Sequence, residues 1–391
     1  MQLDIFDQVI GPYRPLEWAV KFWPVLVISF GVALVATAMC KKIAIAFNIV
    51  DRPDALIKTH KQPVAYLGGV GILFGMIVGM LAAIYYLRQE AHLSEILIML
   101  FGIMAGGAIA CAIGVLDDIL NIKPWQKLLG QSAAAVALLL AGIKPGINYY
   151  TNLMGFSISP ELDWAIGSVV VLVFVLGATN SLNLLDGLDG LCAGVTGIIA
   201  MGMLLLAIHL ATWKTSETRD AVRVITCLAL IGGVAGFLPF NRHPAKIFMG
   251  DAGSLLLGFV VAAMMMLFAA RNPRWLLASI VVFGLPILDT AVAIVRRLIN
   301  NRPIFVSDRG HIYDQMMDRG FGLRKTVISC YLLAAMYALI GLAMSQIRTR
   351  YALVIYIFVA IVSALVVWKK GYLKMEGVRG AIKKPGQTKE K

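Results

Sequence analysis

A chain of 391 residues ordinarily divides into two or three soluble domains, but this one is 59% hydrophobic and 15% charged, with a mean hydropathy of +0.81. Soluble domains carry about 25% charged residues, so a soluble enzyme, a disordered chain and a collagen-like fibre are excluded and a polytopic membrane protein is expected. The 35 Lys and Arg against 22 Asp and Glu leave a net +13, which suits either a nucleic-acid binder or a membrane protein with positively charged inner loops.

A spanning helix needs about 20 mainly apolar residues, and about 17 suffice. Eleven segments qualify: 22–40, 68–87, 95–116, 128–143, 164–182, 191–213, 222–240, 254–270, 275–295, 326–345 and 351–368. The expected fold is all-α, a polytopic integral membrane protein with about 11 transmembrane helices. An odd count puts the termini on opposite sides. With the N-terminus outside, the inner segments 41–67, 117–127, 183–190, 241–253, 296–325 and the tail beyond 368 hold 24 of the 35 Lys and Arg. That asymmetry favours a periplasmic or outside N-terminus and a cytoplasmic C-terminus, and it accounts for the charge without nucleic acid. Residues 1–368 read as a single transmembrane domain and 369–391 as a basic cytoplasmic tail. Asp4 and Asp7 stand where a cleaved signal peptide would carry a basic region. Cys40, Cys111, Cys192, Cys227 and Cys330 sit singly in or beside apolar stretches, as small buried hydrophobes rather than disulfides or zinc ligands.

On the second span Gly71, Gly75 and Gly79 form a small-xxx-small ridge suited to helix packing. Gly68-Gly69 opens the same span and follows no predicted strand, which argues against a dinucleotide loop. Between the first and tenth spans the inner loops hold ten acids, all aspartate: Asp51, Asp54, Asp117, Asp118, Asp186, Asp189, Asp251, Asp308, Asp314 and Asp318. A short carboxylate near a helix end suits Mg²⁺, which takes one or two carboxylates plus substrate phosphates. Caps and turns also prefer Asp.

Asp117-Asp118 ends the third span, where the helix dipole favours cations. A metal ion or a base would relieve that cost, and Lys123 and Lys127 follow closely, as phosphate ligands or as membrane anchors. At the end of the fifth span Asn180, Asn183, Asp186 and Asp189 recur every third residue, about 300° apart on a helix, so they curl into a short polar wall. Gly187 and Gly190 loosen that wall and expose amide groups to an anion. Phe248-Met-Gly-Asp251-Ala-Gly-Ser254 leads into the eighth span. Asp251 or Ser254 serves there as an N-cap and Phe248 as an interfacial anchor, or the segment is a third acidic part of one site, at a helix N-terminus that attracts phosphate. The loop 296–325 carries Arg296, Arg297, Arg302, Arg309, His311, Asp314, Asp318 and Arg319, a topological anchor or a set of phosphate-binding forks. Asp289, inside the ninth span, is expected to pair with Arg296 two turns on.

With these residues in view the chain resembles the polyprenyl-phosphate N-acetylhexosamine-1-phosphate transferases of the glycosyltransferase 4 family, in the WecA/TagO-like branch related to MraY. The resemblance runs from about residue 41 to 325. It rests on Asp117-Asp118, on Asn180-x-x-Asn183-x-x-Asp186-Gly-Leu-Asp189-Gly, on Phe248-Met-Gly-Asp251, and on Lys58-x-His60-x-x-Pro63 leading into Gly68-Gly69. It implies transfer of a HexNAc-1-phosphate, GlcNAc-1-phosphate first, from a UDP-sugar to undecaprenyl phosphate, releasing UMP. The setting implied is the cytoplasmic face of the inner or plasma membrane, with Mg²⁺, or Mn²⁺ in its place, at the initiating lipid-linked step of envelope polysaccharide synthesis. The resemblance further implies catalytic roles for Asp117, Asp118, Asp186 and Asp189, and metal ligation by Asp251 and Asn183. Substrate binding falls to Lys58, Asn180, Phe248, Lys127, Arg309 and His311, with Phe248 stacked on uracil. Where that branch has His-x-His-His this chain reads His311-Ile-Tyr313-Asp314, which leaves the sugar open. Phospho-MurNAc-pentapeptide transfer, a transporter and a lipid-binding scaffold are the alternatives, and a homodimer is compatible with each.

A phosphate monoester has its second pKa near 6, so the lipid phosphate is already a nucleophilic dianion at neutral pH. Direct in-line attack on the β-phosphorus is therefore expected, rather than an aspartyl-phosphate intermediate.

Overall fold

The computed structural model describes residues 17–51, 63–88, 90, 92–211, 217–270, 273–302 and 310–374. The protein is a helical bundle: α1 (Glu17–Ala46), α2 (Gly68–Leu87), α3 (Leu93–Leu120), α4 (Pro124–Leu140), α5 (Ile147–Leu153), α6 (Pro160–Leu185), α7 (Leu191–Ala211), α8 (Glu217–Asn241), α9 (Gly250–Ala269), α10 (Pro273–Val282), α11 (Gly284–Ile299), α12 (Ile312–Asp318), α13 (Leu323–Ser345) and α14 (Thr349–Lys369). Its extended pieces among the described residues are β1 (Val50–Asp51) and β2 (Val64–Ala65), paired antiparallel, with Ala65 bridging to Ile247.

The helix α9 is the axis of the bundle. Its sequence is apolar on every side, as a helix enclosed by other helices must be. From Gly250 to Ala269 every residue but Asp251 is buried. Around it stand α3 and α6, with α2, α4, α7, α8 and α10 also in contact, while α1, α13 and α14 lie further out. The ridge of Gly71, Gly75 and Gly79 meets Thr37, Ala33 and Ser29 of α1, so the small residues let two backbones approach. All five cysteines are buried and unpaired, as their settings suggested.

Each of the eleven apolar segments lies on a helix, but they do not all span alike. Among the described residues nine helices are long and apolar enough to cross a membrane, and ten if α10 and α11 count as one broken span. The segment 128–143 falls on α4, which has 17 residues. The segment 275–295 is bent by 71° between α10 and α11. Pro286 explains the break, because it has no N–H to give to the carbonyl one turn back, at Val282. The protein is a multi-pass membrane protein of all-α class.

Candidate active site

Four helix ends converge at one end of the bundle and bring Asp117, Lys127, Asn183 and Asp251 together. Asn121, in the left-handed region at φ 48°, stops α3 just past its acidic pair. Three residues later Pro124 opens α4, so Lys127 lies in its first turn. The Lys127 ammonium pairs with Asp117 Oδ2 at 2.9 Å and with Asp251 Oδ2, and also donates to Asn183 Oδ1 at 3.2 Å. Asn183 in turn donates through Nδ2 to Asp251 Oδ1 at 2.7 Å and Ser254 Oγ at 3.0 Å. A cation is thus held by three side-chain oxygens from three helices. Lys127 supplies the relief that the Asp117 carboxylate needs at a helix C-terminus.

Asp118 faces the other way. Its Oδ1 accepts from the Asp251 amide at 2.9 Å and its Oδ2 from the Ala252 amide at 3.2 Å. The carboxylate of one helix therefore caps the N-terminus of another, where the dipole favours negative charge. Of the two readings of this segment, capping by Asp251 or Ser254 is not what the structure shows: the N-cap residue is Met249, with no side-chain cap bond. The same contact fills the position where a phosphate at that N-terminus would sit. Gly250 makes it possible, because its φ of 67° lies in the left-handed region and a Cβ there would collide with the Asp118 carboxylate. The approach to α9 is fixed by backbone pairing, with Phe248 N donating to Ala65 O at 2.8 Å and Gly68 and Gly69 N donating to Phe248 O and Met249 O at 3.0 Å each. The Phe248 ring lies 6.2 Å from that of Tyr66, tilted by 55°.

The polar wall after α6 is split. Asn180 donates to Gln131 Oε1 and to Leu176 O, one turn away from the Lys127 cluster. The helix ends at Leu185, and residues 186–190 form a turn before α7. Asp189 Oδ2 takes the Ala245 amide at 3.1 Å and His243 Nδ1 at 2.7 Å, which ties the turn to the segment entering α9. Gly190 is held by Asn241 at its N–H and by the Tyr331 hydroxyl at its carbonyl. The half-buried Asp186 carboxylate has no hydrogen-bond or ion-pair partner among the described residues. Burial, reinforced by Asp251, Asp118 and Asp189, pushes its pKa well above the usual carboxylate range.

Asp289 does not pair with Arg296. It binds His311 Nδ1 at 2.7 Å and the Ile312 amide at 2.6 Å, while Arg296 donates to Gly310 O. The helical spacing of Asp289 and Arg296 suggested a direct pair; instead both reach the same returning loop and dock α12 on the bundle. His311 is buried there, stacked on Tyr313. Lys58 and Arg309 lie outside the described residues. Sequence reasoning missed Gly250 as the seat of Asp118, and with it Gln131, Asn241 and Tyr331. A glycine directly before an aspartate ahead of an apolar run was the available signal for the first.

The sequence profile of glycosyl transferase family 4 matches residues 100–269, which contain the whole Asp117–Lys127–Asn183–Asp251 cluster. The chain is 30% identical over 337 residues to a Bacillus subtilis (strain 168) protein named "Probable undecaprenyl-phosphate N-acetylglucosaminyl 1-phosphate transferase", covering 84% of this chain and 87% of that one. It is 31% identical over 291 residues to the decaprenyl-phosphate N-acetylglucosaminephosphotransferase of Mycobacterium leprae (strain TN), covering 70% and 71%. Against the phospho-N-acetylmuramoyl-pentapeptide-transferase of Bacillus thuringiensis (strain Al Hakam) the identity is 32% over 250 residues, covering 61% and 71%.

Proposed function

Because the chain belongs to glycosyl transferase family 4, we propose that it transfers GlcNAc-1-phosphate from UDP-GlcNAc to undecaprenyl phosphate and releases UMP. The observation that carries this reading is the cation held among Asp117, Asn183 and Asp251 at one end of a membrane bundle. Positive charge concentrated in the loops of that end supports its facing the cytoplasm, in a plasma or inner membrane.

The donor set fits Mg²⁺. It offers two carboxylates and an amide oxygen, all hard ligands, already arranged around the positive charge of Lys127. Mg²⁺ takes one or two protein carboxylates and completes its shell from phosphate and water. Asp251 and Asn183 would hold it, with Asp117 alongside, and when bound it supplies charge neutralisation to the diphosphate.

In the reaction an oxygen of the lipid phosphate forms a bond to the β-phosphorus, and the bond from that phosphorus to the bridging oxygen breaks. UMP leaves with the bridging oxygen. Lys127 neutralises negative charge on the transferring phosphoryl group, and Asp117 orients the incoming lipid phosphate. Both oxygens of Asp118 hold α9, so Asp118 sets the position of Asp251. Phe248, beside Tyr66 at the lip of the site, is suited to stack on uracil. Arg309 and Lys58 remain candidates for binding the diphosphate.

The test is UMP release by the purified full-length protein with undecaprenyl phosphate, Mg²⁺ and UDP-GlcNAc, UDP-GalNAc or UDP-MurNAc-pentapeptide in parallel. Release from UDP-GlcNAc, abolished by EDTA and lowered about a hundredfold or more in Asp251→Asn, is expected. No release from any donor, or normal turnover in that variant, would overturn the assignment. Release from UDP-MurNAc-pentapeptide alone would transfer the reading to the muramoyl donor.

A further inference from the structure

The turn that carries Asp186 is gripped from outside by a residue for which the transfer reaction gives no account. Tyr313 lies in the first turn of α12 and is only 5% exposed. Its hydroxyl donates to Leu184 O at 3.1 Å, and its ring lies against Gly187, where any Cβ would collide with the Tyr313 hydroxyl and ring. Leu184 O is one of the last carbonyls of α6, which have no partner within their own helix. Tyr313 therefore satisfies a helix end and packs against the turn immediately beyond it.

The other side of this contact is firmly seated. His311 stacks on Tyr313 with ring centroids 5.6 Å apart and planes 9° from parallel. His311 Nδ1 and the Ile312 amide are both bound by Asp289, which is completely buried. Gln315 Nε2 donates to Gly310 O and to Tyr372 O, at 2.9 Å each. Asp289 of α11, residues 310–315 and Tyr372 beyond α14 are thus tied into one bracket, and Tyr313 is the side chain it extends to residues 184–187. Those residues lie between Asn183, which binds Lys127 and Asp251, and Asp189, which binds the segment entering α9. A side chain that sets their height sets where Asp186 stands relative to Asp251.

We propose that Tyr313 is a positioning residue for the transferase: through Leu184 O and Gly187 it couples the α12 bracket to the turn that presents Asp186 to the site. This rests on the transferase reading for its kinetic consequence, and on geometry alone for the coupling. A hydrogen bond and a packed ring are at work here, and neither requires contact with substrate.

The experiment compares full-length wild type with Tyr313→Phe, Gly187→Ala and the double variant. Amide hydrogen exchange by mass spectrometry is read at residues 184–190 and 310–318, and UMP release and Tm are measured on the same samples. Tyr313→Phe is expected to speed exchange at 184–190 while 310–318 stays protected. It should lower kcat about fivefold, the order expected for one lost hydrogen bond, with KM for both substrates within twofold and Tm within about 2 °C. Gly187→Ala should lower kcat at least as far, and the double variant no further than the worse single one, since both act on one contact. Unchanged exchange at 184–190 in Tyr313→Phe overturns the coupling. Unchanged kcat, or a loss that tracks Tm alone, overturns the positioning role. If wild type released no UMP at all, the transferase reading would fall, and the exchange result would still decide the coupling.

Discussion

The pair Asp117-Asp118 and the turn Asp186-Gly-Leu-Asp189 solve the same problem in different ways. In each, one carboxylate holds backbone and the other faces the site. Asp118 takes two amides of α9, and Asp189 takes the Ala245 amide and His243. Asp117 and Asp186 are the members left for the chemistry proposed above. The difference lies in compensation: Asp117 has the Lys127 ammonium at 2.9 Å, whereas Asp186 has no such partner among the described residues and its pKa is held high. Two acids in a short motif thus do not imply two catalytic groups. One of each pair builds the site that the other uses.

The sharpest way to break this division is to remove the facing member and its base. Asp117→Asn and Lys127→Met are each expected to lower the rate of UMP release about a hundredfold, the order lost when one preorganised charge is taken from a reacting centre. Because the two form one ion pair, the double variant should fall little further than the worse single variant. Losses that multiply in full would show that Asp117 and Lys127 act separately. Tm should move little in Asp117→Asn, since that carboxylate caps no helix.

The holding member should behave in the opposite sense. Asp118→Ala removes two hydrogen bonds to a charged acceptor, worth about 1.5–3 kcal/mol each, and leaves two helix-end amides without partners. Gly250→Ala places a Cβ against the same carboxylate at a φ of 67°. Both variants are expected to lose several degrees of Tm together with activity. An Asp118→Ala protein with wild-type Tm and no turnover would move Asp118 to the chemical side and break the comparison.

Much of this was legible in the sequence, because aspartate in an apolar chain is conspicuous. Asp117, Lys127, Asn183 and Asp251 stood out by residue type and by position at helix ends, and the structure brings those four together. The division of labour was not legible. Asp118 and Asp251 are 133 positions apart, and nothing local says which of two adjacent carboxylates turns toward a distant helix. The same holds for Asp289, whose spacing suggested Arg296 but whose partner is His311 on a returning loop. Local pattern did carry the glycine ridge of α2, because that contact follows from helical periodicity alone. The break of the ninth apolar segment was also written locally, in Pro286, but a count by hydropathy passes over a single proline.

The smallest expected effect is the pH dependence that Asp186 brings to stability. An acid whose pKa is higher in the folded than in the unfolded chain favours folding only while it is protonated. Its contribution is complete below the ordinary carboxylate pKa and is lost as pH rises through the raised value. Burial and the charges of Asp251, Asp118 and Asp189 put Asp186 in this class. The Tm of the substrate-free protein should therefore decline as pH rises above the usual carboxylate range. Asp186→Asn, which keeps the shape and cannot ionise, should flatten that decline. An equal decline in wild type and Asp186→Asn would mean that Asp186 has a neutralising partner after all, and the contrast with Asp117 would disappear.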